Sequence, residues 1–195
     1  MEPSVYLDIL VRKGSDVTPH DIISFLTQKL HDARRFGKLA LAFPTMGVKP
    51  GLGDMIRVFA EEREVLDRVC DFFAEDGRVD DYAIVRHPKH VPENVDGYEA
   101  YLQRKFARPL SRSRLERLGE RGRMLHRFNL DIREKQRKRA GGLEKYPFVT
   151  LYSASSRQQF RLFVQRIEAT KEQQGEPGGY GLSRANNIIG LPVFS

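Results

Sequence analysis

The chain has 195 residues, 40% of them hydrophobic and 12 of them Phe, enough apolar material for a packed core, which excludes a disordered polycation. Its single cysteine, Cys70, excludes an internal disulfide framework and any Cys-based zinc site, and suits a reducing cytoplasm. No apolar run approaches the ~20 residues of a bilayer span and Met1-Glu2-Pro3-Ser4 opens no signal peptide, so a soluble cytoplasmic protein is expected.

Val5 to Val11 predicts a strand, with Val5, Leu7, Ile9 and Val11 alternating against Tyr6 and Asp8. Thr18-Pro19-His20-Asp21 then reads as a helix start, with Thr18 as N-cap, Pro19 in the first helical position and Asp21 in the first turn. The helix that follows should bury Ile22, Leu26, Leu30 and Ala33. Short strands are expected at Leu39 to Phe43 and at Met55 to Ala60, separated by the Gly- and Pro-containing stretch Gly47 to Asp54. Glu61 to Phe73 reads as a second amphipathic helix with Val65, Leu66, Val69, Phe72 and Phe73 inward, and Tyr82 to Val85 as a fourth strand. The order βαββαβ is the ferredoxin-like arrangement, so residues 1–90 are expected to form such a domain within an α+β protein. That fold hosts many functions and establishes none.

Residues 86–97, with Pro88 and Pro92, read as a linker to a smaller C-terminal domain over 98–195. This domain opens with a basic segment, 98–140, expected to be mostly helical in two pieces with a break near Gly119 and Gly122. Strands follow at Phe148 to Tyr152 and Phe160 to Ile167. A loop follows from Gln173 to Gly179, and the tail from Tyr180 onward should be mostly irregular.

The net charge of +7 is concentrated in that segment. Tyr98 to Ala140 holds 14 Lys and Arg against 5 Asp and Glu, a balance of +9, and the rest of the chain carries −2. Eleven of the 14 cations are Arg, whose planar fork of donors suits phosphate oxygens and guanine edges. A solvated helix face would mix signs and favour Lys and Glu, and a membrane-surface helix would need a broad apolar face. The segment therefore implies a nucleic-acid partner, with RNA favoured.

The chemistry is less evident. Gly51-Leu52-Gly53 reads as a hairpin turn, because no Lys-Ser/Thr follows it at phosphate-loop spacing. His87 and His90 enclose a Pro and a Lys and are followed by no carboxylate motif, and no carboxylate cage for magnesium is legible, so no metal or other cofactor is expected. Metal-free RNA cleavage needs a base to take the proton of a ribose 2′-OH, so that this oxygen can attack the adjacent phosphorus. Imidazole, with an ordinary pKa of ~6.5, suits that role. Of five histidines, His31 is favoured because it lies beside the Ile22, Leu26 and Leu30 stripe, at the rim of the core. From periodicity alone, an ordinary surface histidine is the better reading.

A set of short motifs runs the length of the chain. It comprises Tyr6-Leu7-Asp8-Ile9, Lys29-Leu30-His31, Ala42-Phe43-Pro44, Leu52-Gly53 followed by Ile56-Arg57, and Gln103-Arg104-Lys105. Pro147-Phe148-Val149-Thr150-Leu151, Phe160-Arg161-Leu162-Phe163 and Tyr180-Gly181-Leu182-Ser183 complete it. In this order and spacing the chain resembles the CRISPR repeat-processing endoribonucleases of the type I-F subtype. The resemblance implies a ferredoxin-like domain followed by a domain that presents an arginine-rich helix to an RNA hairpin. It implies His31 as general base, Ser153 as the residue orienting the attacking ribose, Tyr180 as a neighbour that sets the site, and Phe160 as a ring stacking on RNA beside the cut. RNA contacts would also come from Gln103, Arg104, Lys105, Arg112, Arg114, Arg117, Arg121 and Ser155.

The chain departs from the family in two places. Consecutive arginines are replaced by the spaced set Arg112, Arg114, Arg117 and Arg121, of which the last three still share one helical face. Tyr101 stands where a base-reading arginine is usual. Two functions remain in view: a nuclease that cuts the repeat hairpin and stays on its guide RNA within a surveillance complex, or a non-catalytic subunit that only caps the hairpin. The presence of His31, Ser153 and Tyr180 favours the first.

Overall fold

The computed structural model describes residues 1–14, 16–104, 145–153 and 156–194. The first sheet begins with β1 (Val5–Val11), where Val5, Leu7 and Ile9 are buried in strict alternation. β2 (Ala40–Ala42), β3 (Met55–Ala60) and β4 (Ala83–Val85) join it in the order β2-β3-β1-β4, each neighbouring pair antiparallel. β5 (Lys89–His90) extends the edge, pairing with the start of β1 where β4 pairs with its end. Helices α1 (Pro19–Ala33) and α2 (Arg63–Ala74) connect the strands, and a short helix, α3 (Gly77–Tyr82), leads into β4.

The expected βαββαβ order is thus present with small additions: α3 and β5 were not anticipated, and β5 lies within the stretch read as a linker. Asp76 explains α3, since its carboxylate accepts the N–H of Arg78 as an N-cap. The two main helices bury the expected stripes, with Ile22, Leu26, Leu30 and Ala33 on α1 and Leu66, Val69 and Phe73 on α2.

The second sheet has the order β7-β8-β6-β9, from β6 (Gly97–Arg104), β7 (Phe148–Ser153), β8 (Gln158–Glu168) and β9 (Leu191–Val193). One expectation is corrected here. The first residues of the basic segment are a strand rather than a helix, because Ala100, Tyr101 and Leu102 are buried in the second sheet. The tail beyond Tyr180 is mostly irregular, as expected, but is tied down by pairing: its short β9 is antiparallel to β6, and Ser183 bridges to Leu102. Tail residues with weak local preference adopt a strand because an open edge accepts them.

The chain divides into two compact units, Met1–Gln103 with Pro147–Ser195 and Arg104–Tyr146. Both sheets belong to the first unit and share one continuous apolar core, from Leu7 and Phe59 to Val149 and Leu191. Of the second unit only Arg104, Lys145 and Tyr146 are described, with both cations over the Tyr146 ring. Lys105, Arg112, Arg114, Arg117, Arg121, Ser155 and the expected arginine-rich helix lie outside the described residues. Among the described residues no helix is long and apolar enough to cross a membrane.

Candidate active site

α1 has two working faces. Thr18 caps it by accepting the N–H of Asp21, and Pro19 sets its first turn. One face is buried in the core; another carries Ser24, Gln28 and His31, which follow one another at four and three residues and so form a row. This row runs along the open edge of β7. The N–H of Thr150 donates to Ser24 Oγ at 3.0 Å and the N–H of Tyr152 to Gln28 Oε1 at 3.2 Å. An unpaired strand edge is an aggregation hazard, and these side chains cover it.

The two elements advance in step. Four helical residues rise about 6 Å and two strand residues about 6.6 Å. The next turn of α1 carries His31, and β7 ends at Ser153. The Ser153 hydroxyl accepts the N–H of Ser156 at 3.3 Å, at the β7–β8 turn.

The opposite wall is the turn Gly178–Gly181, closed by the Gly181 N–H donating to the Gly178 carbonyl at 3.0 Å. Gly181 has φ +70° and its carbonyl accepts the N–H of Leu41, which locks the turn against β2. A Cβ there would lie 2.6 Å from Leu41 Cγ, so the position requires glycine for both conformation and space. The turn projects two groups at α1: the Gly179 carbonyl, 2.5 Å from His31 Nδ1, and the Tyr180 ring, stacked on the imidazole at 4.5 Å between centroids.

A carbonyl oxygen can only accept, so Nδ1 carries the hydrogen and donates it. Nε2 of the neutral ring is then left with its lone pair, the form a proton acceptor needs. Burial, followed by the charge of Asp32, raises the Tyr180 phenol above its ordinary value, so at neutral pH it is a hydroxyl and a potential donor. Phe160 extends the aromatic row, its ring 5.9 Å from that of Tyr180. Phe160 opposes Leu151 and Ser153 opposes Gln158 in the β7–β8 register, which puts Ser153 and Phe160 on one face of the hairpin.

The structure therefore brings His31, Tyr180 and Phe160 together, and Ser153 shares a hairpin face with Phe160 at the end of β7. Gln103 ends the described part of the first unit on β6, its N–H donating to the Ser183 carbonyl. The Gly179 carbonyl, Arg34 (whose Nη1 donates to that carbonyl at 3.1 Å), Gly181 and the Ser24–Gln28 pair were all missed in the sequence. The run Gly178-Gly179-Tyr180-Gly181 was the available signal, three glycines around one tyrosine marking a tight turn. Nothing local marks Arg34.

Other shared motif residues serve the fold. Arg57 is buried, clasps Asp8 through Nε at 2.7 Å and Nη2 at 3.1 Å, and donates Nη1 to the Phe194 carbonyl at 2.9 Å. Its guanidinium lies 4.1 Å from the Phe194 ring centroid. Cys70 is half-buried, and burial, then Asp67 and Asp71, push its thiol up to about 11, which rules it out as a nucleophile at neutral pH. Among the described residues no three His, Cys, Asp or Glu side chains gather as metal ligands would.

A family model described as CRISPR-associated protein (Cas_Csy4) matches residues 6–194. The chain belongs to the Csy4 family. It is also 31% identical over 194 residues to the protein named CRISPR-associated endonuclease Cas6/Csy4 from Pseudomonas aeruginosa (strain UCBPP-PA14), covering 94% of this chain and 97% of that relative. Membership agrees with the resemblance carried by the motifs. Within the Csy4 family pattern, the unusual Tyr101 has a structural explanation. It is 2% exposed, packs edge-on to Phe43 and donates its hydroxyl to Glu99 at 3.0 Å, so it is a core residue and does not reach a base.

Proposed function

We propose that this protein is a metal-independent endoribonuclease that binds CRISPR repeat hairpins and cuts the precursor transcript at the 3′ base of the stem. The observation that carries the reading is the His31–Gly179 hydrogen bond, which holds a hydrogen on Nδ1 and so makes Nε2 the nitrogen that can accept a proton. In the reaction His31 Nε2 takes the proton of the ribose 2′-OH. The 2′-oxygen forms a bond to the adjacent phosphorus, the phosphorus–5′-oxygen bond breaks, and the leaving oxygen takes up a proton from water. The products are a 2′,3′-cyclic phosphate and a 5′-OH.

Ser153 orients the ribose, Tyr180 holds the imidazole plane, and Phe160 stacks on a base beside the cut. The first sheet is read as ferredoxin-like, supported by its element order and the strand order β2-β3-β1-β4. The basic segment, with Arg112, Arg114, Arg117 and Arg121 on a helix, supplies most of the grip on the stem, helped by Gln103, Arg104, Lys105 and Ser155. The groove of A-form RNA is narrow along a stem but opens at its ends, where such a helix can enter. The enzyme keeps its product stem and joins other subunits of a type I-F surveillance complex in the cytoplasm.

The test uses a repeat hairpin with one 2′-deoxy sugar before the scissile phosphate, in excess EDTA. The all-ribose hairpin is expected to be cut and the deoxy hairpin to be bound but not cut. Cleavage of the deoxy hairpin, or activity that returns only with magnesium, overturns the mechanism. Binding of both with cleavage of neither makes the protein a non-catalytic cap.

A further inference from the structure

The Gly179 carbonyl accepts two hydrogen bonds, and only one comes from the base. The second is from Arg34, which opens the single 3-10 turn (Arg34–Phe36) that follows α1. We propose that Arg34 is a positioning residue that fixes the proton of His31 on Nδ1 by pinning the Gly179 carbonyl; this rests on His31 being the base.

A neutral imidazole has two tautomers. In a free side chain the one with hydrogen on Nε2 prevails, and it presents the wrong nitrogen to a 2′-OH in this site. Holding the hydrogen on Nδ1 requires an acceptor that stays in place. The turn is tied at Gly178 and Gly181, but among the described residues no backbone N–H donates to the Gly179 carbonyl, so side chains alone hold that acceptor. Among the described residues, a Cβ built at Gly179 would find one neighbour within 4 Å, Arg34 Nη1 at 3.9 Å, so the guanidinium lies against this peptide.

The two donors together occupy both lone pairs of the carbonyl, which leaves no acceptor site for water to compete with His31. His31 and Arg34 are three residues apart on consecutive helical turns, so one rigid element presents both donors. Arg34 Nε is buried without a hydrogen-bond partner among the described residues. A surface arginine with no task would hydrate all its donors; this one leaves Nε unpaired while Nη1 reaches Gly179.

The experiment uses the full-length protein labelled with ¹⁵N-histidine, at a pH where imidazole is neutral, with His31→Ala to assign the resonances. Long-range ¹H–¹⁵N spectra report which ring nitrogen carries the hydrogen. In Arg34→Leu the His31 population is expected to move toward the Nε2–H tautomer. Single-turnover cleavage should slow by a few-fold to about tenfold, well short of the ~10²–10⁴ attached to losing a general base. Hairpin affinity and its salt dependence should stay unchanged. Arg34→Lys, which can still donate to the carbonyl, should recover much of both signals and serves also if the Leu variant folds poorly.

An unchanged tautomer in Arg34→Leu overturns the proposal whatever the rate does. A loss of affinity with a shallower salt slope and an unchanged tautomer makes Arg34 an RNA contact. Wild-type cleavage by His31→Ala would defeat the base assignment instead, and the tautomer measurement would still decide what Arg34 does to the ring.

Discussion

The C-terminal segment meets the N-terminal half of the chain at two anchors of opposite character. At Phe194 the anchor is Arg57, buried, bidentate to Asp8, hydrogen-bonded to the Phe194 carbonyl and flanked by the Tyr6 and Phe194 rings. At the Gly178–Gly181 turn the anchor is a half-buried cluster in which one carbonyl accepts two cation-capable donors and an imidazole nitrogen stays available. The first satisfies every group it buries and has nothing left to offer a ligand. The second leaves reactive capacity unspent, as a site for chemistry must. Tight pairing marks where this segment holds the fold, and incomplete pairing marks where it is proposed to act.

Two substitutions should separate the anchors most strongly. His31→Ala is expected to lower single-turnover cleavage by ~10²–10⁴, the usual worth of a general base, with little change in Tm or hairpin affinity. Arg57→Ala should do the reverse, costing about 3–5 kcal/mol of stability because the half-buried Asp8 carboxylate loses its bidentate partner. Its cleavage rate per folded molecule should remain, measured by chemical denaturation beside single-turnover kinetics. A stable Arg57→Ala protein, or a His31→Ala protein that unfolds, would erase the distinction.

A smaller effect compares two turns. Gly181 and Gly51 both have positive φ, +70° and +66°, so Ala at either should cost about 1–2 kcal/mol in backbone strain. A Cβ at Gly51 meets open space, while one at Gly181 overlaps Leu41 and displaces the turn bearing Gly179. Gly181→Ala should therefore lose cleavage as well as stability, and Gly51→Ala stability alone.

The smallest effect is electrostatic. Hydrogen bonds from Arg78, then Lys29 of α1, hold the Asp76 carboxyl well below the usual carboxylate range. A depressed folded pKa gives stability that is present above the unfolded value of ~3.9 and is lost as pH falls below it. Asp76→Asn keeps an acceptor for the α3 N-cap but removes that charge. Its stability should fall less steeply than wild type between about pH 5 and pH 2, read from Tm against pH. Parallel curves would show that the pair contributes nothing to acid sensitivity.

Local pattern determined the elements. The alternation in Val5–Val11, the Thr18-Pro19 start and the Ile22, Leu26, Leu30 stripe each depend on neighbours within a turn or two, and they appear at those residues in the structure. The motifs were enough to suggest the family, and the arginine count located the basic segment. Tertiary structure alone decided what depends on distant partners. β9 forms because β6 offers it an open edge, and the partners Gly97 and Val193 are 96 residues apart by sequence number. Tyr101 is buried because Phe43 and Glu99 receive it. Periodicity placed His31 only at the core's rim and the family motifs singled it out, but the hydrogen on its Nδ1 is held by a carbonyl 148 residues away. Periodicity can tell which side of a helix is wet, but the hydrogen bond that fixes which nitrogen of one such residue is free is a long-range contact, and helix periodicity does not encode it.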